Sequence, residues 1–393
     1  MTLVYYICIY QINFFLSDKL NVLFLCGWYP SRVSPTNGDF IQRHAEAVSV
    51  LHNVTIIHII TDKNNRQNIE FTSEVINGIK THIAYLKYTK NPILKILFFI
   101  RAFKIMLGKI GYLDLVHLNE LFPFGIFSLF LKWFKNIPFI ISEHFTGYHS
   151  PLSKNISFLQ KFISSIITRN ANFVCPVSND LGLSMQKLGL TGNYKRVPNV
   201  VNTDLFFPDK KTNNIFTITH ISNMNNQHKN IIGLLHVIAK LQEKITNFKF
   251  NIIGENSVQY SKYADKLGID NKKIQFINQI PHKEIAEELR NSNLFVLFSN
   301  YENLPCVILE SFACGIPVIS TNTGGISEYF PQNFGKLIDI KEEEKLKEEI
   351  LNFYNKKHNI ANKEEMHNYV KSLFSQEAIA KAFTNLYHRT LNI

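Results

Sequence analysis

"SNYENLPCVILESFACGIPVISTNTGGISEYF", residues 299–330, sets seven residues between Glu302 and Glu310 and follows them with the glycine pair Gly324–Gly325. The stretch begins as the apolar run "LFVLFS" (294–299) ends, and passes through "YENLP", where asparagine and proline favour a turn. "CVILESFACG" then has the apolar spacing of a helix, with Gly315 as its stop, and "PVIST" (317–321) reads as the next strand. Strand, helix and strand in immediate succession form the repeating unit of a parallel sheet. Glu302 therefore belongs at the carboxyl edge of that sheet, with Glu310 inside the helix that leaves it. Ligands of open α/β sheets bind at that edge. A helix N-terminus there offers free N–H groups to an anion, and backbone without side chains at Gly324–Gly325 can approach a phosphate closely.

The same rhythm extends in both directions. Strands are expected at 21–27, 54–60, 81–88, 115–119, 138–144 and 173–178, and again at 216–222, 248–254, 273–280, 294–299, 317–321 and 335–340. Near-continuous apolar strands between helix-length segments indicate parallel sheets covered on both faces. The pattern occurs twice, so the fold class is α/β, with two doubly wound Rossmann-like domains. They are expected over 1–200 and 201–373, joined through "VPNVVNTDLFFPDKKTNN" (197–214). An amphipathic closing helix over about 374–393 should pack back onto the first.

Composition narrows the classes further. A hydrophobic content of 46% excludes a disordered or fibrous chain. Five cysteines without a CxxC pair indicate reduced thiols in a cytosolic protein, with Cys306 and Cys314 as core packing. No GxGxxG follows either first strand, and neither Walker A nor Asp-x-Asp occurs, so no dinucleotide cofactor, P-loop or metal site is expected. The net charge of +11 is lopsided: residues 1–196 hold 20 Lys+Arg against 10 Asp+Glu. That balance suits an anionic membrane surface; nucleic acid is not expected, because no recognised binding motif accompanies the charge. The apolar segment 3–16 is too short to span a bilayer and lacks the flanks of a signal peptide, which leaves a misassigned start or a membrane-surface segment. "NPILKILFFIRAFKIMLGKIGY" (91–112) interleaves Lys95, Arg101, Lys104 and Lys109 with large apolar residues. It reads either as a packed helix with a basic outer face or as a helix lying on a membrane.

Taken as a set, these motifs resemble the retaining glycosyltransferases of family 4, which have the GT-B fold. The resemblance is carried by Glu302…Glu310, "ACGIPVIS" and "GGISE", and by "VLFLCGWYPSRVSPTNGDFIQRHAEAVS" (22–49), "ISEHFTGYH" (141–149), "VPNVVNTDLFFP" (197–208) and "HKNIIGLL" (228–235). It implies an acceptor-binding first domain, a second domain for a UDP- or GDP-linked sugar, and chemistry in the cleft between them. Glu310 would receive the ribose hydroxyls, as an acceptor-only carboxylate can. Glu302 would face the transferred sugar, while backbone at Asn303 and Leu304 covers sugar and phosphate. Lys229 matches the lysine that neutralises the leaving diphosphate, Gly38 and Gly324–Gly325 the close backbone approaches, and His144 the histidine near the reaction centre. Alone, Lys229 reads as a solvated lysine and His144 as a core histidine; their places in the set give the functional reading. His117 is a further candidate of the same kind. The sequence departs from the pattern at "SNMNNQ" (222–227), which lacks the arginine many relatives carry upstream of the lysine.

The expected activity is therefore retaining, metal-independent transfer without a protein nucleophile, the leaving phosphate helping to deprotonate the acceptor. The nucleotide-sugar is a co-substrate and no cofactor is implied. A lipid-linked or saccharide acceptor in surface-polysaccharide assembly, met by a cytoplasmic protein at the inner face of the membrane, completes the expectation. The rivals are a GT-B nucleotide-sugar epimerase and a non-catalytic sugar-nucleotide-binding subunit.

Overall fold

The computed structural model describes residues 19–209 and 215–393; the apolar 3–16 segment lies outside them. The first sheet contains β1 (Asn21–Cys26), β2 (Asn53–Asp62), β3 (Ile69–Ile76), β4 (Ile79–Lys87), β5 (Leu115–Asn119), β6 (Phe139–Glu143) and β7 (Phe173–Pro176), in the order β3-β4-β2-β1-β5-β6-β7. The second contains β8 (Phe216–Ile221), β9 (Phe248–Ile253), β10 (Ile274–Ile277), β11 (Leu294–Leu297), β12 (Val318–Thr321) and β13 (Gly335–Ile338), in the order β10-β9-β8-β11-β12-β13. Every expected strand forms, and two parallel-sheet α/β units result.

One correction concerns β3, which has no counterpart among the strands expected from sequence. It runs antiparallel to β4, so the first sheet is mixed at its edge. Its residues are half-exposed and polar (Glu70, Thr72, Ser73, Glu74), so the continuous apolar signature of a doubly covered strand is missing. The available signal was Asn77–Gly78. Both adopt positive φ (48° and 80°), the geometry of a two-residue hairpin turn.

Alternation along β1 builds two cores. Leu23 and Leu25 pack with Phe103, Leu129 and Ile167. These come from helices Pro92–Leu107, Gly125–Lys135 and Phe158–Asn170, which link β4 to β5, β5 to β6 and β6 to β7. Crossovers advancing the same way across a sheet put their helices on one face. Val22 and Phe24 face the other way, onto Ile41 and Ala45 of helix Asp39–Ser49 and Ile379 and Phe383 of helix Gln376–Leu391. The closing helix therefore lies against the first unit, where the Tyr387 hydroxyl is 2.7 Å from His117 Nδ1. The chain crosses between units near residue 200 and returns at Phe374, and the Val201 amide donates to the Phe374 carbonyl (2.8 Å).

Each sheet reverses its strand order once, between β1 and β5 and between β8 and β11. Those are the points where a crevice opens at the carboxyl ends of the strands.

Candidate functional site

The exit loops of β8 and β11 meet at the second switch point. The β8 loop enters a single helical turn, Asn226–Lys229, and Asn230 (φ 51°) breaks it and caps helix Ile231–Leu241. This kink presents Lys229 toward the loop after β11. There Lys229 Nζ donates to Glu302 Oε1, which also accepts from Ser299 Oγ at 2.7 Å. Both side chains are largely buried, so the pair is a charge-assisted contact out of bulk water. An ammonium has three donors, and this contact uses one.

Glu310 lies one turn into helix Cys306–Ala313 and is held from the opposite unit. Arg43 Nη1 donates to Glu310 Oε1 at 2.7 Å, and Nη2 donates to Asp39 Oδ2 at 2.8 Å. Asp39 and Arg43 are one turn apart on helix Asp39–Ser49, which places both on the cleft side. His282 Nε2 stands 3.9 Å from both carboxylates. Asp39, His282 and Glu310 line a cavity of about 690 Å³ between the units, together with Ser222, Gly254 and Glu255 from the exit loops of β8 and β9. Gly38 precedes Asp39 and sets the helix start. Its φ is 79°, and a Cβ there would fall within 2.8 Å of the Trp28 and Tyr29 backbone. Only glycine fits both constraints.

The remaining candidate residues lie along the seam between the units. Asn303 Nδ2 donates to the His144 carbonyl, and its Oδ1 is 2.5 Å from His149 Nε2. The Leu304 carbonyl accepts from Asn199 Nδ2 at 2.8 Å. The Gly325 amide is spent on the Asn303 carbonyl (2.8 Å). A Cβ on Gly324 (φ 60°) would lie 2.0 Å from the Glu302 carbonyl oxygen. The glycine pair thus lets one exit loop lie flat on the other, a packing reason beside the expected phosphate approach. Glu328, the last residue of "GGISE", accepts from the amides of Asn179 and Asp180 (2.8 Å each) and from Arg196 Nη1 at 2.9 Å. A carboxylate at that helix N-terminus complements its dipole and joins the units.

His144 is enclosed against Phe40 and His44, with ring centroids 4.5 and 5.3 Å away. Burial holds its imidazole well below the usual range, so it is neutral, and its Nε2 is buried without a hydrogen-bond partner among the described residues. His117 has no such spare nitrogen: Tyr387 and Ser142 take both, and it is structural. Burial pushes the Cys306 and Cys314 thiols up to about 12, so neither is a nucleophile at neutral pH.

Comparison with known proteins gives the family. The description "Glycosyl transferases group 1" matches residues 203–373, and "Glycosyltransferase Family 4" matches residues 40–205. The chain belongs to the family 4 glycosyltransferases. The phosphatidylinositol N-acetylglucosaminyltransferase of Arabidopsis thaliana is 26% identical in one of its subunits over 201 residues, covering 50% of this chain and 44% of that protein. The chain thus spans less than half the length of that relative. Sucrose-phosphate synthase from Thermosynechococcus elongatus superposes with a TM-score of 0.76 at 18% identity, covering 95% of this chain and all of that one. Anabaena Alr3699/HepE, solved with UDP and glucose, superposes with a TM-score of 0.71 at 14% identity, covering 93% and 98%. These likenesses establish the GT-B architecture.

In this glycosyltransferase the structure joins Lys229 to Glu302, sets Gly324 against Glu302 and ties Asn303 to the backbone of His144. Glu310 stands apart from them, with Arg43. Asp39, Arg43 and His282 are not among the residues expected from sequence, although "GDFIQRH" carries the first two. Nor is Glu120, at the end of β5 with φ 72°. Burial and the neighbouring Glu143 push the Glu120 carboxyl up to about 9, so it is protonated at neutral pH. A neutral carboxyl at the first switch point can donate a hydrogen bond as well as accept one. Among the described residues no three His, Cys, Asp or Glu side chains are grouped to hold a metal ion.

Proposed function

We propose that this glycosyltransferase takes a UDP- or GDP-linked sugar and transfers it, with retention of anomeric configuration and without a metal ion, to an acceptor hydroxyl. The observation that carries the reading is the cavity of about 690 Å³ walled by both units, with Glu310 in its wall. Its volume is in the range of small-molecule sites. Glu310 accepts the ribose hydroxyls. Lys229, anchored by Glu302, directs its remaining donors to the leaving diphosphate, where negative charge grows in the transition state. Glu302 borders the sugar. Neutral His144 offers a hydrogen bond through Nε2 and no charge. The first unit receives the acceptor along the exit loops of β1 and β5.

The test is a thermal-shift panel of UDP- and GDP-sugars, followed by NMR of the product with the responding donor. A bound ligand raises stability by RT ln(1+[L]/Kd), so a donor at 100 Kd adds about 2.7 kcal/mol. The product keeps the donor's anomeric configuration, and EDTA leaves the rate unchanged. Inversion, or loss on chelation with recovery on adding Mg²⁺ or Mn²⁺, would overturn the corresponding part.

The acceptor is lipid-linked, within surface-polysaccharide assembly, and the protein docks to the anionic inner face of the membrane. Support comes from the outer face of the three-helix layer. Phe103 stacks on Phe127 (4.2 Å) and Gly125 packs against Ile167, so the three helices lie side by side. Ile93, Ile96 and Leu97, then Trp133 and Phe134, then Phe158 and Phe162 are exposed on them. Residues 88–113, 121–142 and 144–179 hold ten Lys or Arg and no Asp or Glu. Helix Pro92–Leu107 packs through Ala102, Phe103 and Met106, and its outer face is apolar and basic together. Among the described residues no helix is long and apolar enough to cross a membrane. The Arabidopsis relative, whose name pairs phosphatidylinositol with the transferred sugar, agrees with a lipid acceptor.

A further inference from the structure

We infer that Arg43, from the first unit, is a positioning residue for the donor: it holds Glu310 of the second unit in the orientation that receives the nucleotide's ribose. The inference rests on the assignment of Glu310 as the ribose acceptor and adds a residue to that site from across the cleft.

The geometry is that of a support behind a wall. Asp39 and Glu310 both line the cavity, whereas Arg43, which joins them, does not. Arg43 bonds one oxygen of each carboxylate, Asp39 Oδ2 and Glu310 Oε1, and its side chain is only 12% exposed. Among the described residues, Oε2 of Glu310 has no hydrogen-bond partner, which leaves an acceptor for ligand hydroxyls. A carboxylate 4% exposed has few water molecules around it, and the guanidinium supplies a charge-assisted hydrogen bond in their place. The planar fork of arginine fixes the orientation of both carboxylates, which a lysine cannot do.

Two features argue against an ordinary interdomain ion pair. Arg43 Nε is buried and has no partner among the described residues, a cost that an arginine serving only to join the units would avoid by turning toward solvent. The units are already joined by Glu328 with Arg196 and by Asn303 with His144 and His149, away from the cavity. Unlike those pairs, the Arg43 contact reaches a carboxylate in the cavity wall.

The experiment is calorimetric titration of the full chain with UDP and with GDP, paired with donor kinetics. Arg43→Ala should weaken the nucleotide that the wild type binds about 10-fold or more, while kcat at saturating donor stays within about 3-fold, because ribose contacts persist from ground state to transition state. Arg43→Lys should recover part of the loss. The double variant Arg43→Ala/Glu310→Gln should bind no more than about 2-fold weaker than Glu310→Gln alone, since Arg43 acts through Glu310. Additive losses would overturn the inference, as would unchanged affinity in both Arg43→Ala and Arg43→Lys. Tighter binding by Arg43→Ala would also overturn it, by showing that Arg43 withholds Glu310 from the ligand. If Arg43→Ala does not fold, Arg43→Lys decides, with wild-type affinity as the contrary result. A wild type that binds neither nucleotide refutes the proposed donor, and this inference with it.

Discussion

Lys229 and Glu302 sit on different exit loops, 73 residues apart in sequence, and meet through a charge-assisted hydrogen bond at the point where the second sheet reverses its strand order. Each residue is thereby held by the other, so the effect of changing one includes what happens to its partner.

Lys229→Ala should slow transfer about 10- to 150-fold, the range of a charge-assisted hydrogen bond of about 1.5–3 kcal/mol. It also leaves Glu302 in a poorly hydrated place without its cation, so the melting temperature should fall. Steady-state kinetics alongside thermal unfolding separates the two effects. Unchanged kcat/KM in a destabilised variant would make the pair purely structural.

Glu310→Gln should chiefly raise the donor KM, whereas Glu302→Gln should chiefly lower kcat. Ribose contacts are uniform through the reaction; a group beside the reacting sugar acts on the transition state. The amide is preferred to alanine because it keeps the shape against Arg43 and Lys229. Exchange of the two kinetic signatures between the variants would reverse the assignments.

Stability should fall as pH drops below about 6.5. Burial pushes the imidazoles of His44, His58 and His220 down to about 4. Unfolded histidines take up protons near 6.5, so between 6.5 and 4 the unfolded chain binds more protons than the folded one. Each histidine then contributes a slope of up to about 1.4 kcal/mol per pH unit, with stability rising as pH rises. Urea midpoints at pH 7.5, 6.0 and 5.0 check this; a midpoint constant down to pH 4.5 would contradict it.

The protein should co-sediment with vesicles containing phosphatidylglycerol and not with phosphatidylcholine alone. Each Lys or Arg close to an anionic surface contributes about 1 kcal/mol, screened over roughly 8 Å at physiological salt. Replacing Lys95, Arg101, Lys104 and Lys109 by serine should remove the salt-sensitive part, and Trp133→Ser with Phe134→Ser the salt-resistant part. Binding unaffected by either set would assign the exposed face to something other than lipid.

The strands were legible because burial on both faces leaves one message, a continuous apolar run bounded by turns. β3 escaped because an edge strand with one solvated face mixes Glu70 and Glu74 into that message. In the site, Glu302 was legible from its place at the end of a strand, and Lys229 only through the resemblance of "HKNIIGLL" to the family. Arg43 was not, because its partner Glu310 lies in the other unit and no local period connects them. Asn303 and Gly325 show the reverse: their motif places them at the site, while their hydrogen bonds are spent holding loops and units together.

The hydrogen bond from Val201 to Phe374 has a mechanical meaning. The two stretches of chain that cross between the units do so side by side and tied together. An opening of the cleft would have to bend both crossings at that tie. It would also have to break the contacts of Arg43 with Glu310 and of Asn303 with His144, so the mouth of the cavity could not widen without freeing the Glu310 carboxylate from its support.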